Sequence, residues 1–188
     1  MIKIATHNSF TGEKGDGLLS FLVSAFSKCQ SKTLVQQHRC GCRLFDLRVK
    51  WDKGRGRFVA AHGLWKAKKS LLKLMAELNG IAASSPVKTM YLLTYEGECE
   101  EGTEVYDNFR KLAECLKGFS NIQCVQLSVK KPDWRVLWSS SDMPYYTAAY
   151  DVLAKDNWKT MLPIPWMWAK FRKKAEFSDA YYRMVDFL

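Results

Sequence analysis

The chain has 188 residues, 47% of them hydrophobic and 26% charged, with 29 Lys and Arg against 19 Asp and Glu for a net charge of +10. This length and balance fit one globular domain over residues 1–188 and exclude a disordered or low-complexity protein. The excess of positive charge points to an anionic partner, whether a lipid surface, a nucleic acid or a phosphorylated small molecule, without choosing among them.

The first segment, "IKIATHNSF", is a short strand-like run that ends on Thr6, His7, Asn8 and Ser9. It is too short for the apolar core of a signal peptide. The longest apolar run, "LLSFLVSAF", is too short to span a bilayer, so a soluble protein, cytosolic at synthesis, is expected. Leu18, Phe21, Leu22 and Ala25 have helical spacing there.

Further strand-like runs follow at "CRLFDLRV", "RFVAAH", "TMYLLTY", "NIQCVQLSV" and, at the end, "YRMVDFL". Between them, Leu71, Leu74, Met75 and Leu78 form a second helical stripe. Val105, Phe109, Leu112 and Leu116 form a third, after the acidic start "GECEEGTE". Residues 131–175 are poorly periodic and rich in Trp, Tyr and Pro, and no later strand is assigned there. Strands alternating with helices predict an α/β fold with a parallel sheet, either open and doubly wound or closed as a barrel. The six cysteines (Cys29, Cys40, Cys42, Cys99, Cys115 and Cys124) contain no CxxC pair and are expected as buried free thiols rather than disulfides or a zinc site.

Polar residues gather at the ends of these strands: His7 and Asn8, Asp46 and Arg48, His62, Glu96 and Asp186. In parallel α/β folds the loops leaving the carboxyl ends of the strands carry the site. Separate strands thus direct chemically capable groups toward one place. His38 falls in a helical segment and is expected to be a surface or structural residue.

Taken in order, these residues resemble the X domain of phosphatidylinositol-specific phospholipase C. "THNSF" matches the family's opening Thr/Ser-His-Asn/Asp motif. "QHRCGCRLFDLRV" matches its Gln-x3-Gly-x-Arg segment and acidic strand, with Gln37 at the first position. "AAHGLW" matches its His-Gly strand end, "YLLTYEGE" its charged fourth strand and "MVDFL" its closing aspartate. The first motifs cover residues 2–64; beyond Glu96 only the last strand matches. The resemblance implies a compact, distorted TIM-like (β/α) barrel with abbreviated later units.

It also implies the chemistry: cleavage of a phosphodiester by the substrate's own neighbouring hydroxyl, through a cyclic phosphate. Histidine suits both proton roles because its unperturbed pKa is about 6.5. By resemblance His7 is the base, held by Asp186, and His62 is the acid, oriented or tuned by Asp46. Arg48 places a permanent cation on the phosphate. Asn8 and Glu96 fall at substrate-binding positions. If calcium is used, its ligands are Asn8, Asp46 and Glu96. Arg48 stands where calcium-using relatives carry another acid, and a guanidinium about 4 Å from a bound cation costs several kcal/mol at intermediate dielectric. No metal cofactor is therefore expected, with calcium as the alternative.

The expected partner is a phosphodiester, with inositol phospholipid as one candidate. The stretch "LPIPWMWAKFRKK" sets Trp166, Trp168 and Phe171 beside Lys170, Arg172, Lys173 and Lys174, which suits either contact with an anionic membrane or a core role for the tryptophans. No nucleic-acid motif is present, and that reading leaves the strand-end residues unexplained. A catalytically silent module that binds phosphate or anionic lipid is the alternative function, and retention of both histidines argues against it.

Overall fold

A computed structural model describes residues 3–97, 99–129, 146–148 and 182–185. Strand β1 (Lys3–Thr6) leads through a 3-10 turn (Ser9–Gly12) to helix α1 (Gly17–Ser27) and helix α2 (Leu34–Arg39). Strand β2 (Cys42–Asp52) returns as β3 (Arg57–His62) and the short β4 (Trp65–Lys66). Helix α3 (Leu71–Ala82), β5 (Thr89–Tyr95), α4 (Glu104–Leu116) and β6 (Ile122–Ser128) follow, and β7 (Tyr146–Ala148) and β8 (Tyr182–Val185) complete the described elements.

The helix starts follow from local chemistry. Thr33 and Gln36 form a reciprocal capping box on α2. The Ser70 hydroxyl accepts from Lys73 N–H at the head of α3, and the Thr103 hydroxyl accepts from Tyr106 N–H at the head of α4. Glu104 and Asp107 in the first turn of α4 complement its positive end, as the acidic segment predicts.

All eight strands belong to one sheet. Its parallel path runs β6-β5-β2-β1-β8-β7. On β2 and β5 the odd-numbered residues Phe45, Leu47, Val49, Tyr91, Leu93 and Tyr95 join one hydrophobic cluster with Leu74, Met75 and Leu78 of α3 and Phe109 and Leu116 of α4. The alternating positions Leu44, Asp46, Arg48, Leu92 and Thr94 are also buried, on the opposite face. Both faces of the central strands are thus covered, as their nearly continuous apolar runs require.

Two expectations change. The segment "RFVAAH" is not a further parallel strand reached by a helical crossover. It pairs antiparallel with β2, with Val49 opposite Ala60 and Asp52 opposite Arg57. The cause is local: β2 runs on past Arg48 to Asp52, and Arg55 N–H donates to the Asp52 carbonyl. Gly56 then takes a left-handed φ of 57° that closes the hairpin. The implied closed barrel also differs from what is seen. Among the described residues the strand path is open, with β6 and β7 at its two ends and no pairing between them. Residues 130–145 and 149–181 lie outside the described residues, as do the predicted Trp166–Lys174 tail features and Asp186.

The six thiols are free, as expected, but only Cys29, Cys42 and Cys99 are buried; Cys40 and Cys115 are exposed. His38 is structural: it is buried in α2, meets the Thr89 hydroxyl at 2.9 Å and stacks on Phe45. Burial and then the Arg43 charge lower its pKa to about 4. The unfolded chain therefore takes up a proton below about pH 6.5 that the folded chain takes up only near pH 4, so stability falls with pH across that window. The urea midpoint should fall between pH 6.5 and 4, with His38 contributing a slope of at most about 1.4 kcal/mol per pH unit. His38→Gln should flatten that slope, and an unchanged slope would remove His38 from the titration.

Candidate active site

The site begins with Asn8, which adopts a left-handed backbone (φ 44°, ψ 50°), the only non-glycine among the described residues to do so. Asparagine tolerates this region better than most side chains. The turn sends the chain away from β1 and brings two groups inward. The Asn8 backbone N–H donates to Asp46 Oδ2 at 3.0 Å, and the side-chain amide lies between two histidines. Beneath this turn, Gln30 Nε2 donates to the His7 carbonyl at 2.9 Å, and Gln37 Nε2 donates to the Ser9 carbonyl at 2.8 Å.

Asp46 and Arg48 share the inner face of β2 because the side-chain period of a strand is two. Asp46 is fully buried and Arg48 is 2% exposed. Arg48 Nε donates to Asp46 Oδ2 at 3.2 Å, Nη1 to Glu96 Oε2 at 3.4 Å and Nη2 to His7 Nε2 at 2.9 Å. Glu96 follows β5, and its other oxygen accepts from Gly63 N–H at 3.2 Å, linking the ends of β5 and β3.

The hydrogen-bond pattern fixes both imidazole tautomers. Arg48 Nη2 and Asn8 Nδ2 can only donate, so His7 Nε2 accepts from both, at 2.9 and 3.1 Å, and the His7 ring proton belongs on Nδ1. His62 Nδ1 donates to the Ser27 carbonyl at 2.7 Å, so its Nε2 is the acceptor of Asn8 Nδ2 at 3.2 Å. Two lone pairs on two rings, with centroids 6.5 Å apart, thus face a single amide nitrogen. Burial and the charge of Arg48 hold the His62 pKa below its usual value.

The predicted residues His7, Asn8, Asp46, Arg48, His62 and Glu96 all meet here. Asp186 lies outside the described residues; β8 pairs with β1 up to Val185 opposite Thr6, and the next residues in the two chain segments are Asp186 and His7. Among the described residues Asp46 makes no bond to His62; it bonds Arg48 and the Asn8 backbone instead, and the Ser27 carbonyl orients His62. Sequence reasoning missed three contributors: Ser27, Gln30 and Cys29, whose sulfur accepts from Asn8 Nδ2 at 3.4 Å. Backbone carbonyl and buried amide contacts carry no motif, so no local signal marked them.

The calcium ligand set fits poorly. The Arg48 guanidinium already bonds both carboxylates that would hold the cation, and the Asn8 amide engages the histidines through nitrogen. Among the described residues no group of three or more His, Cys, Asp and Glu is arranged to hold a metal ion. Removing one partner of a buried ion pair strands the other. Arg48→Met should therefore cost about 3–5 kcal/mol in urea denaturation, whereas Glu96→Gln, on the more exposed arm of the pair, should cost less. An unchanged midpoint for Arg48→Met would show that the carboxylates do not depend on the guanidinium.

No protein-family model and no curated protein matches the chain. Its backbone does match solved structures. It superposes on phosphatidylinositol-specific phospholipase C from Listeria monocytogenes with a TM-score of 0.59 and 12% identity, over 99% of this chain and 88% of that one. A variant of the Staphylococcus aureus enzyme gives a TM-score of 0.62 and 13% identity, over 99% and 85%. Another Staphylococcus aureus variant gives 0.51 and 17%, over 69% of this chain and 48% of that one. At these identities, what the chain shares with the bacterial phospholipases C is their fold.

Proposed function

We propose that the protein is a phosphodiesterase of the phospholipase C type, which cleaves its substrate through a cyclic phosphate by paired histidine acid–base catalysis. The observation that carries this reading is the juxtaposition of His7 Nε2 and His62 Nε2 about one amide, with the Arg48 guanidinium 2.9 Å from His7. The shared fold with phosphatidylinositol-specific phospholipases C supports it.

In this mechanism the unprotonated His7 Nε2 takes the proton of the attacking hydroxyl. Arg48 stabilises charge on the phosphoryl oxygens, and the attacking oxygen forms its bond to phosphorus as the leaving alcohol departs. That alcohol receives its proton from His62, which must enter the cycle protonated on Nε2. Asn8 Oδ1 and Asp46 Oδ1 are buried acceptors with no hydrogen-bond partner among the described residues, and they would receive substrate hydroxyls. Asp186 is proposed to bond His7 and stabilise its charged form. The reaction is proposed to proceed without a metal because Arg48 supplies the positive charge. The substrate class is a phosphodiester with a neighbouring hydroxyl, of which an inositol phospholipid is one member.

Phosphorus NMR of the protein with detergent-dispersed phosphatidylinositol and a panel of soluble glycerophosphodiesters should reveal a cyclic phosphate product. His7→Ala and His62→Ala should each lower turnover by about 10²–10⁴-fold. Equal turnover by all three proteins would sink the mechanism. Exhaustive chelation should leave activity intact, and a loss restored by calcium alone would overturn the metal-free assignment. Because burial and Arg48 lower the pKa of His62, kcat/KM should decline as pH rises through a midpoint below about 6.5. A decline only above pH 7 would give the acid role to another group.

A further inference from the structure

The loop between α1 and α2 has no hydrogen-bond ladder of its own. Residues 28–33 belong to no helix or strand, yet Cys29 and Gln30 within it are buried. Buried backbone N–H groups need partners, and one side chain supplies two of them. Thr11, in the 3-10 turn and 1% exposed, accepts from Cys29 N–H at 3.0 Å and from Gln30 N–H at 3.1 Å. Its hydroxyl donates to the Asn8 carbonyl at 2.7 Å. One proton and two lone pairs are the whole capacity of a hydroxyl, and all three are used. Beside it, a Cβ at Gly12 would collide with the Lys32 carbonyl, so the turn and the loop meet backbone to backbone.

Each partner of Thr11 in turn touches the histidine site. The Asn8 amide lies between the two rings, the Cys29 sulfur accepts from that amide, and Gln30 Nε2 holds the His7 carbonyl. Two residues before Cys29, the Ser27 carbonyl accepts from His62 Nδ1. The two histidines arrive on different elements, the end of β1 and the β2–β3 hairpin. Thr11 joins the turn that follows the first to the loop that orients the second, and among the described residues it bonds neither ring.

We propose that Thr11 is a positioning residue whose hydroxyl sets the separation of the two imidazoles, an assignment that rests on the paired-histidine reading of the site. A hydroxyl suits this task because it satisfies three backbone groups at one point. A valine of the same shape would fill the space and leave all three without that partner. Small displacements matter here, because misplacing a reacting group by about 1 Å can lower a rate about 10²-fold.

Thr11→Val, Thr11→Ser and Thr89→Val separate positioning from stability. The Thr89 hydroxyl is buried against His38 at the start of β5, whereas Glu96 follows the end of that strand, so its loss strips a buried hydrogen bond away from the site. Nitrogen NMR of the labelled protein without substrate reads His62 with no need of turnover. Thr11→Val should lower the pH at which His62 titrates, because the Ser27 carbonyl favours the protonated ring against burial and the Arg48 charge. The other charges facing His62 are Glu96, which favours the protonated ring, and His7, which opposes it; neither bonds Thr11. Thr11→Ser should restore the wild-type midpoint, and Thr89→Val should keep it while lowering the urea midpoint. In turnover, Thr11→Val should lower kcat about 10²-fold with little change in KM, and Thr11→Ser should recover it.

An unchanged His62 midpoint in folded Thr11→Val would overturn the proposal, as would an equal displacement by Thr89→Val. If Thr11→Val does not fold, hydrogen exchange in the wild-type chain decides. The Cys29 and Gln30 amides should exchange as slowly as those of β2, and exchange at the rate of an open loop would show that Thr11 does not hold them. A wild-type protein that turns over no phosphodiester would remove the proposed activity, while the NMR and exchange results would still judge the role of Thr11.

Discussion

The buried guanidinium of Arg48 is the constraint from which the rest of the site follows. Asp46 is fully buried, and an ionised carboxylate in that position needs a counter-charge and hydrogen-bond donors. Arg48, two residues along the same strand face, supplies the charge, and the Asn8 backbone supplies a second donor. With its remaining nitrogens the guanidinium draws in Glu96 from β5 and His7 from the end of β1. One cation thus organises groups from three adjacent parallel strands, and it occupies the space between two carboxylates where a metal ion would otherwise have to fit.

His62 enters this arrangement from outside the parallel sheet. The β2–β3 hairpin carries it back to the level of Arg48, and it is fixed twice: through its ring to the Ser27 carbonyl and through the neighbouring Gly63 N–H to Glu96. The two histidines therefore rest on separate supports, one on the sheet core and the other on a hairpin and the end of α1. The supports are separate but the environments are not: the Asn8 amide touches both rings, and Arg48 bonds His7 while its charge lowers the pKa of His62.

Much of this was legible in the sequence because strands write their positions plainly. "THN", "FDLRV", "AAHG" and "TYEG" each placed a polar group against a clear apolar alternation, and all of these groups meet in space. The direction of β3 was less legible: "RFVAAH" has the composition of any strand, and only the Asp52–Gly56 turn distinguishes a hairpin from a crossover. Ser27, Gln30 and Cys29 were invisible because their contributions, a carbonyl, a buried amide and a thiol, depend on where a loop packs rather than on residue type. The expectation that Asp46 partners His62 failed for a related reason. Sequence spacing brings a carboxylate to the mouth but cannot say which of several cationic or donor groups will reach it first.

The amide of Asn8 has a consequence beyond geometry. Its two hydrogens are shared among two imidazole nitrogens and the Cys29 sulfur, so the ring lone pairs that face it are already occupied. A ligand entering here exchanges hydrogen bonds rather than adding them, and its affinity reports only the difference between two nearly equal sets. Such a site discriminates sharply against apolar intruders, which would leave the amide and both rings unsatisfied. A polar ligand also leaves such a site readily, since the protein's own amide takes its place.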